Sequence, residues 1–181
     1  MRKVLVAIIL SHFISMPAAA RTYDDLIKIA SIYCKNSKTP NIKIITRLAH
    51  IEKGYHPPKR MQGMLLAAAC SESGYTPTSL GDRRFSKSKK YPMARGILQQ
   101  WPWWERRYGI DRLNYEQAAH AWMMHIKSRM KKVKKECRIK TKVQLWETAW
   151  VYAVRAPKRS GRCHEKVKHL RLLKKWQKIK I

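Results

Sequence analysis

Carboxylates are scarce in this chain: 11 Asp and Glu stand against 40 Lys and Arg, a formal net charge of +29. An excess of that size repels itself and points to a polyanionic setting: nucleic acid, an anionic membrane, or a bacterial wall with its carboxylates and phosphate polymers. Strand-like alternation is absent at any length, and so is an internal repeat, which leaves a mainly α chain. No two of the four cysteines share the short spacing of a zinc site. His120 and His125 are five residues apart, not the four that would put two ligands on one helix face. No metal and no cofactor is therefore expected. Nothing resembles a nucleic-acid-binding motif, so no nucleic-acid partner is expected either.

What is present begins with a leader. Arg2 and Lys3 precede an apolar run over residues 4–14, interrupted only by Ser11 and His12, and Ala18 and Ala20 follow in a small-x-small pattern. The run is too short for a stable bilayer span. Residues 1–20 thus read as a cleaved secretory signal and residues 21–181 as one domain, of a size to bury a single core. Losing Arg2 and Lys3 leaves 38 basic side chains against 11 acidic, or +27. The expected location is the periplasm or the cell exterior, and export speaks against an ordinary role on nucleic acid. Cys34, Cys70, Cys137 and Cys163 all lie past the leader, and an even count in an exported chain favours two disulfides. Pairing chain neighbours gives Cys34–Cys70 and Cys137–Cys163, one of three possible connectivities.

Helical periodicity recurs along the mature chain. Asp24 and Asp25 open a segment with Leu26, Ile29, Ala30 and Tyr33, and Ile44, Ile45, Leu48 and Ile51 mark a second that stops at Gly54. His56-Pro57-Pro58 forms a linker, and a third helix is expected from about Arg60 to Ser73. Residues 75–93 read as a long polar loop, a length that inside a compact domain is usually functional. Further helices are expected from about Asn114 into the basic run at residues 131–135, from Thr141, and from about Cys163. The last carries Val167, Leu170, Leu173 and Trp176 on one side and lysines elsewhere. Such a basic amphipathic helix suits an anionic membrane surface, or simply covers a core with its lysines in water.

The third helix holds the most informative residue. Met61, Met64, Leu65, Ala68 and Ala69 define an apolar stripe, Glu72 falls on it, and Gly74 stands where helices commonly end. Burial and the helix dipole would both disfavour the ionised carboxylate, and a protonated acid is what glycosidic cleavage requires. The plainer reading is one half of an ion pair with a nearby cation. Residues 67–75, Ala-Ala-Ala-Cys-Ser-Glu-Ser-Gly-Tyr, resemble the catalytic motif of the soluble lytic transglycosylase and goose-type lysozyme superfamily. Ala94-Arg95-Gly96-Ile97-Leu98-Gln99 is similar to its second element, and residues 147–153, Glu-Thr-Ala-Trp-Val-Tyr-Ala, to its third. The likeness spans about residues 60–156. The third element departs from the family's Tyr-Asn-Ala-Gly, reading Tyr152-Ala153-Val154-Arg155.

The resemblance implies a lysozyme-like, mainly α domain with a groove for alternating N-acetylglucosamine and N-acetylmuramic acid. In it Glu72 is the catalytic residue, and Ser73, Gly96, Gln99 and Tyr152 surround the substrate. Gly96 would let backbone approach the sugar, Gln99 would bond substrate or buttress Glu72, and Tyr152 would orient the acid. One of Trp101, Trp103 and Trp104 is expected to touch glycan. A transglycosylase needs only Glu72, because the muramic 6-hydroxyl is the nucleophile. An inverting lysozyme needs a second acid, for which Asp82 and Glu105 are the nearby candidates. Asp82 is open to two readings, a groove-facing acid or a brace for its loop. The expected partner is the peptidoglycan strand, met by a monomer, with anionic wall polymer or a membrane surface as further contacts. Against these stands a non-catalytic cationic wall- or membrane-binding protein, whose binding would survive Glu72→Gln.

Overall fold

A computed structural model describes residues 21–37, 39–82, 93–154, 163 and 167–180, and it is mainly helical. The expected leader and the lysine-rich part of the polar loop, residues 83–92, lie outside the described residues. Each early helix starts where a side chain satisfies its free amides. Helix α1 (Tyr23–Tyr33) begins at Thr22, whose hydroxyl accepts from the Asp25 amide while the Asp25 carboxylate accepts from the Thr22 amide. Asn41 caps α2 (Ile42–Gly54) by accepting from Ile44. Asn114 accepts from Glu116 and Gln117 at the start of α5 (Tyr115–Glu136), which places Lys134 and Lys135 at its negative end.

The apolar faces of α1 and α2 close on α3 (Met64–Ser73), and α7 (Lys168–Trp176) covers α3 from another side. The expected third helix is shorter than its sequence pattern. Lys59–Met61 forms a separate 3-10 turn, and Gly63 at φ +87° sets the new direction before α3 starts. Nor is α3 buried along a single stripe: every residue from Met64 to Cys70 is buried. A helix that is apolar all round can be stable only as a central element. Helix α7 buries Leu170, Leu173 and Trp176 against this core, so its apolar face is used inside the protein. It starts at Lys168 rather than near Cys163, which belongs to the chain before it.

The remaining elements frame one edge. Within the polar loop Leu80–Gly81 (β1) pairs antiparallel with Ala94–Arg95 (β2), Leu80 opposite Arg95. A short helix α4 (Trp103–Tyr108), not foreseen from periodicity, follows and ends at Gly109. Helix α6 (Lys142–Val154) packs along α5 through Trp146, Ala149, Trp150 and Ala153. Two disulfides, Cys34–Cys70 and Cys137–Cys163, tie α1 to α3 and the end of α5 to the segment before α7. Each removes chain entropy from the unfolded state, on the order of 2–4 kcal/mol. They fit an oxidising compartment. No described helix is long and apolar enough to cross a membrane.

Glu52, in the last turn of α2, is fully buried and holds the start of α3. Its Oε1 accepts from the Gly63 amide at 2.6 Å and from the Tyr23 hydroxyl at 3.1 Å, and Oε2 accepts from the Leu65 amide at 2.7 Å. These bonds favour the carboxylate, but desolvation outweighs them and pushes Glu52 up to about 7. A folded acid that keeps its proton above its ordinary range contributes stability at low pH and loses it as pH rises from about 4.5 towards 7. In Glu52→Gln the amide NH2 must face one of the two backbone donors, so roughly 1–3 kcal/mol should be lost. Urea unfolding should show that deficit larger at pH 5 than at pH 7.5; a deficit that grows with pH would mean Glu52 is ionised in the fold.

Candidate active-site groove

Helix α3 ends at Gly74 because the chain there has no room for a side chain. At φ +61° a Cβ on Gly74 would stand 2.1 Å from the Asn36 carbonyl oxygen. The same Asn36 donates its side-chain amide to the carbonyls of Cys70 and Ser71, both at 3.2 Å, capping the helix end beside the Cys34–Cys70 bond. The last turn of α3 is thereby fixed, and it delivers Glu72 into a groove of about 720 Å³. The carboxylate's neighbours there come from well-separated stretches of chain: Asp82 after β1, Gln99 and Trp101 after β2, Trp103 from α4, and Tyr152 from α6.

Glu72 is mostly desolvated, with 21 % of its side chain accessible. His169, buried in the first turn of α7, sets Nε2 at 2.5 Å from Glu72 Oε1, and Lys168 sets Nζ at 3.0 Å from the same oxygen. Burial alone would raise this acid. The hydrogen bond and charge of His169, then those of Lys168, outweigh it and hold Glu72 below the ordinary carboxylate range. This reverses the expectation that the ionised form would be disfavoured. The reason lies in α7, whose two residues reach the carboxylate across the fold.

The groove gathers four of the six predicted residues: Glu72, Asp82, Gln99 and Tyr152. Asp82 accepts from Trp101 Nε1 at 3.1 Å, so it both lines the groove and braces a half-exposed tryptophan there. Gln99 donates to the Ser79 and Gly96 carbonyls at 3.1 and 2.9 Å, tying the residue before β1 to the residue after β2. Tyr152 gives its hydroxyl proton to Glu136 at 3.0 Å. Ser73 and Gly96 do not line the groove. The Ser73 hydroxyl bonds the Ala69 and Ile97 carbonyls, tying α3 to the loop after β2. At Gly96, φ +79°, a Cβ would stand 1.9 Å from the Arg112 carbonyl oxygen, so close backbone packing requires glycine there. Glu105 ion-pairs with buried Arg112 at 2.8 Å, a brace outside the groove lining.

One wall is aromatic. Trp103 stacks on Trp104 at 4.5 Å, and His125 packs against both. Arg129 donates to His125 Nε2 at 3.3 Å, which leaves the ring proton on Nδ1, 2.5 Å from the Tyr108 hydroxyl. Burial, then the charges of Arg129 and Arg107, push His125 down to about 4, so it stays neutral. Arg129 and Lys132 put positive charge along the same wall. Another cavity, of about 780 Å³ beside α4 and α5, holds Glu116 and His120, but Glu116 is paired to Arg47 at 2.7 Å and no second described carboxylate lines it. No group of three His, Cys, Asp or Glu among the described residues is placed to hold a metal. His120, His125 and the basic runs drew the sequence reading, whereas His169 carried no signal, standing 97 residues from its partner.

Comparison with protein-family models, curated proteins and solved structures finds no match to this chain.

Lys168 is largely exposed, so its share in lowering Glu72 is screened by water and salt. In Lys168→Met, carbon-13 titration of the labelled carboxyl should find Glu72 moved upward, by less than the loss of His169 would move it. In the wild type, about 1 M salt should move it the same way. An unmoved carboxyl would mean that the ion pair has no energetic weight.

Proposed function

We propose that this chain cuts the glycan strands of bacterial peptidoglycan at the β-1,4 bond between N-acetylmuramic acid and N-acetylglucosamine, with Glu72 as acid and then base. The observation that carries the proposal is Glu72 itself: a desolvated carboxylate at the end of a rigid, buried helix, open to a groove with aromatic walls. Its motif resembles that of lytic transglycosylases, and the other two motif-bearing segments converge on the same groove through Gln99 and Tyr152. The cations Arg129, Lys132 and Lys168 suit a polymer that bears lactyl and peptide carboxylates.

In the free protein His169 and Lys168 favour the ionised form of Glu72. A glycan seated over it removes water and displaces the exposed Lys168, and both changes raise the carboxyl so that it can carry a proton. That proton goes to the glucosamine O4 as the bond from muramic C1 breaks. The muramic O6 hydroxyl then attacks C1, returns its proton to Glu72, and closes a 1,6-anhydro ring without consuming water. Asp82 favours a second reading. It lines the groove with Glu72, and as a base it would activate water and give reducing muramic ends instead.

Purified peptidoglycan digested by wild type and by Glu72→Gln separates these outcomes by mass spectrometry. Anhydromuramic ends from the wild type are expected, with turnover in Glu72→Gln reduced at least about a hundredfold. Reducing ends that vanish in Asp82→Asn would establish the hydrolase. Absence of released fragments from both acetylated and de-acetylated walls would reject cutting, and a retained grip on the wall would leave a cationic binding protein.

A further inference from the structure

Among the buried side chains with an unpartnered polar atom, His169 is the one that touches the Glu72 carboxylate. It is only 2 % exposed, it lies against Trp150 with ring centroids 5.7 Å apart and planes 27° from parallel, and Nδ1 is buried without a hydrogen-bond partner. An orphan ring nitrogen costs free energy that an apolar residue of similar size would avoid. What the ring gains in return is one contact, Nε2 to Glu72 Oε1. Lys168 also reaches Oε1, so both polar partners of Glu72 among the described residues use the same oxygen.

We propose that His169 is a positioning residue for Glu72: by donating Nε2–H to Oε1 it fixes the carboxyl's rotamer and reserves Oε2 for the reacting proton. This rests on the reading of Glu72 as the acid and base of the groove. With a proton on Nε2, that nitrogen can only donate, so Oε1 can only accept, and any proton Glu72 takes up must sit on Oε2. Trp150 on the ring's face restricts its rotation, which keeps Nε2 aimed. His169 is thus a fixed donor, while the proton that moves in catalysis belongs to Glu72. Among the described residues, the other charged and titratable groups around Glu72 are Lys168 from α7, Asp82 from the loop, Arg129 and Lys132 from α5, and Tyr152 from α6. Lys168 alone of these is in contact with the Glu72 carboxylate.

Two variants test the proposal, His169→Leu and His169→Gln, each with two readouts. Carboxyl titration by carbon-13 NMR reads the contact without any substrate: Leu should move Glu72 upward, because desolvation then stands against Lys168 alone. Gln keeps an N–H donor at similar reach and should leave Glu72 nearer its wild-type position. On peptidoglycan, Leu should lower kcat about tenfold or more with KM within about twofold, and should shift the alkaline limb of the pH profile upward. Gln should recover most of the rate. An unmoved Glu72 carboxyl in the Leu variant, or a Gln variant as slow as Leu, would overturn the positioning role. If wild type cuts no wall while the carboxyl still moves, the functional reading fails and the His169–Glu72 coupling stands.

Discussion

Everything that faces the groove depends on how α3 is held at its two ends. At its start the buried Glu52 carboxylate takes the amides of Gly63 and Leu65, a polar anchor in an otherwise apolar centre. At its finish Asn36, the Cys34–Cys70 bond and the backbone packed against Gly74 allow one geometry for the last turn. Between the two, side chains from Met64 to Cys70 are in contact on every side. A helix so enclosed cannot tilt or slide without opening the core, which gives Glu72 a rigid mount. The site inherits its precision from a helix that takes little part in it.

A chain with so few acids puts almost all of them to definite use. Asp25 completes the capping box of α1, Glu52 anchors α3, and Glu105 and Glu116 pair with Arg112 and Arg47. Glu147 holds Lys174 between α6 and α7 at 2.9 Å, and Glu136 takes Lys132 and Tyr152. Among the described residues, Glu72 and Asp82 are the two carboxylates that line the groove, and Arg129 and Lys132 stand along one of its walls.

Much of this was readable in the residues themselves. Helical period marks α1, α2, α5 and α6, and Gly54 and Gly74 mark ends, because local backbone preferences act within a few residues. Neighbour pairing gives both disulfides, one of the three connectivities that four cysteines leave open. Glu72 stands out because a lone acid closes an apolar run. Its ionisation does not, since burial and helix position predict one sign and His169, brought in by tertiary packing, reverses it. Helix α4 spans six residues, too few to show a period. Glu52 lies among Ile51, Lys53 and Gly54 and looks like surface until the turn at Gly63 brings the amides of α3 onto it. Gly96 announces a backbone constraint, yet nothing nearby tells that the neighbour is Arg112, sixteen residues on.

The Cys34–Cys70 bond links the geometry of the last turn of α3 to the redox state around the chain. Cys70 lies two residues before Glu72, and the bond ties that turn to α1 covalently while Asn36 adds two hydrogen bonds to it. Where thiols are kept reduced, only the hydrogen bonds and packing remain, and the loop that caps α3 is tethered less tightly. For an enzyme of the proposed kind, full alignment of the groove then follows oxidation, a step the cytoplasm withholds.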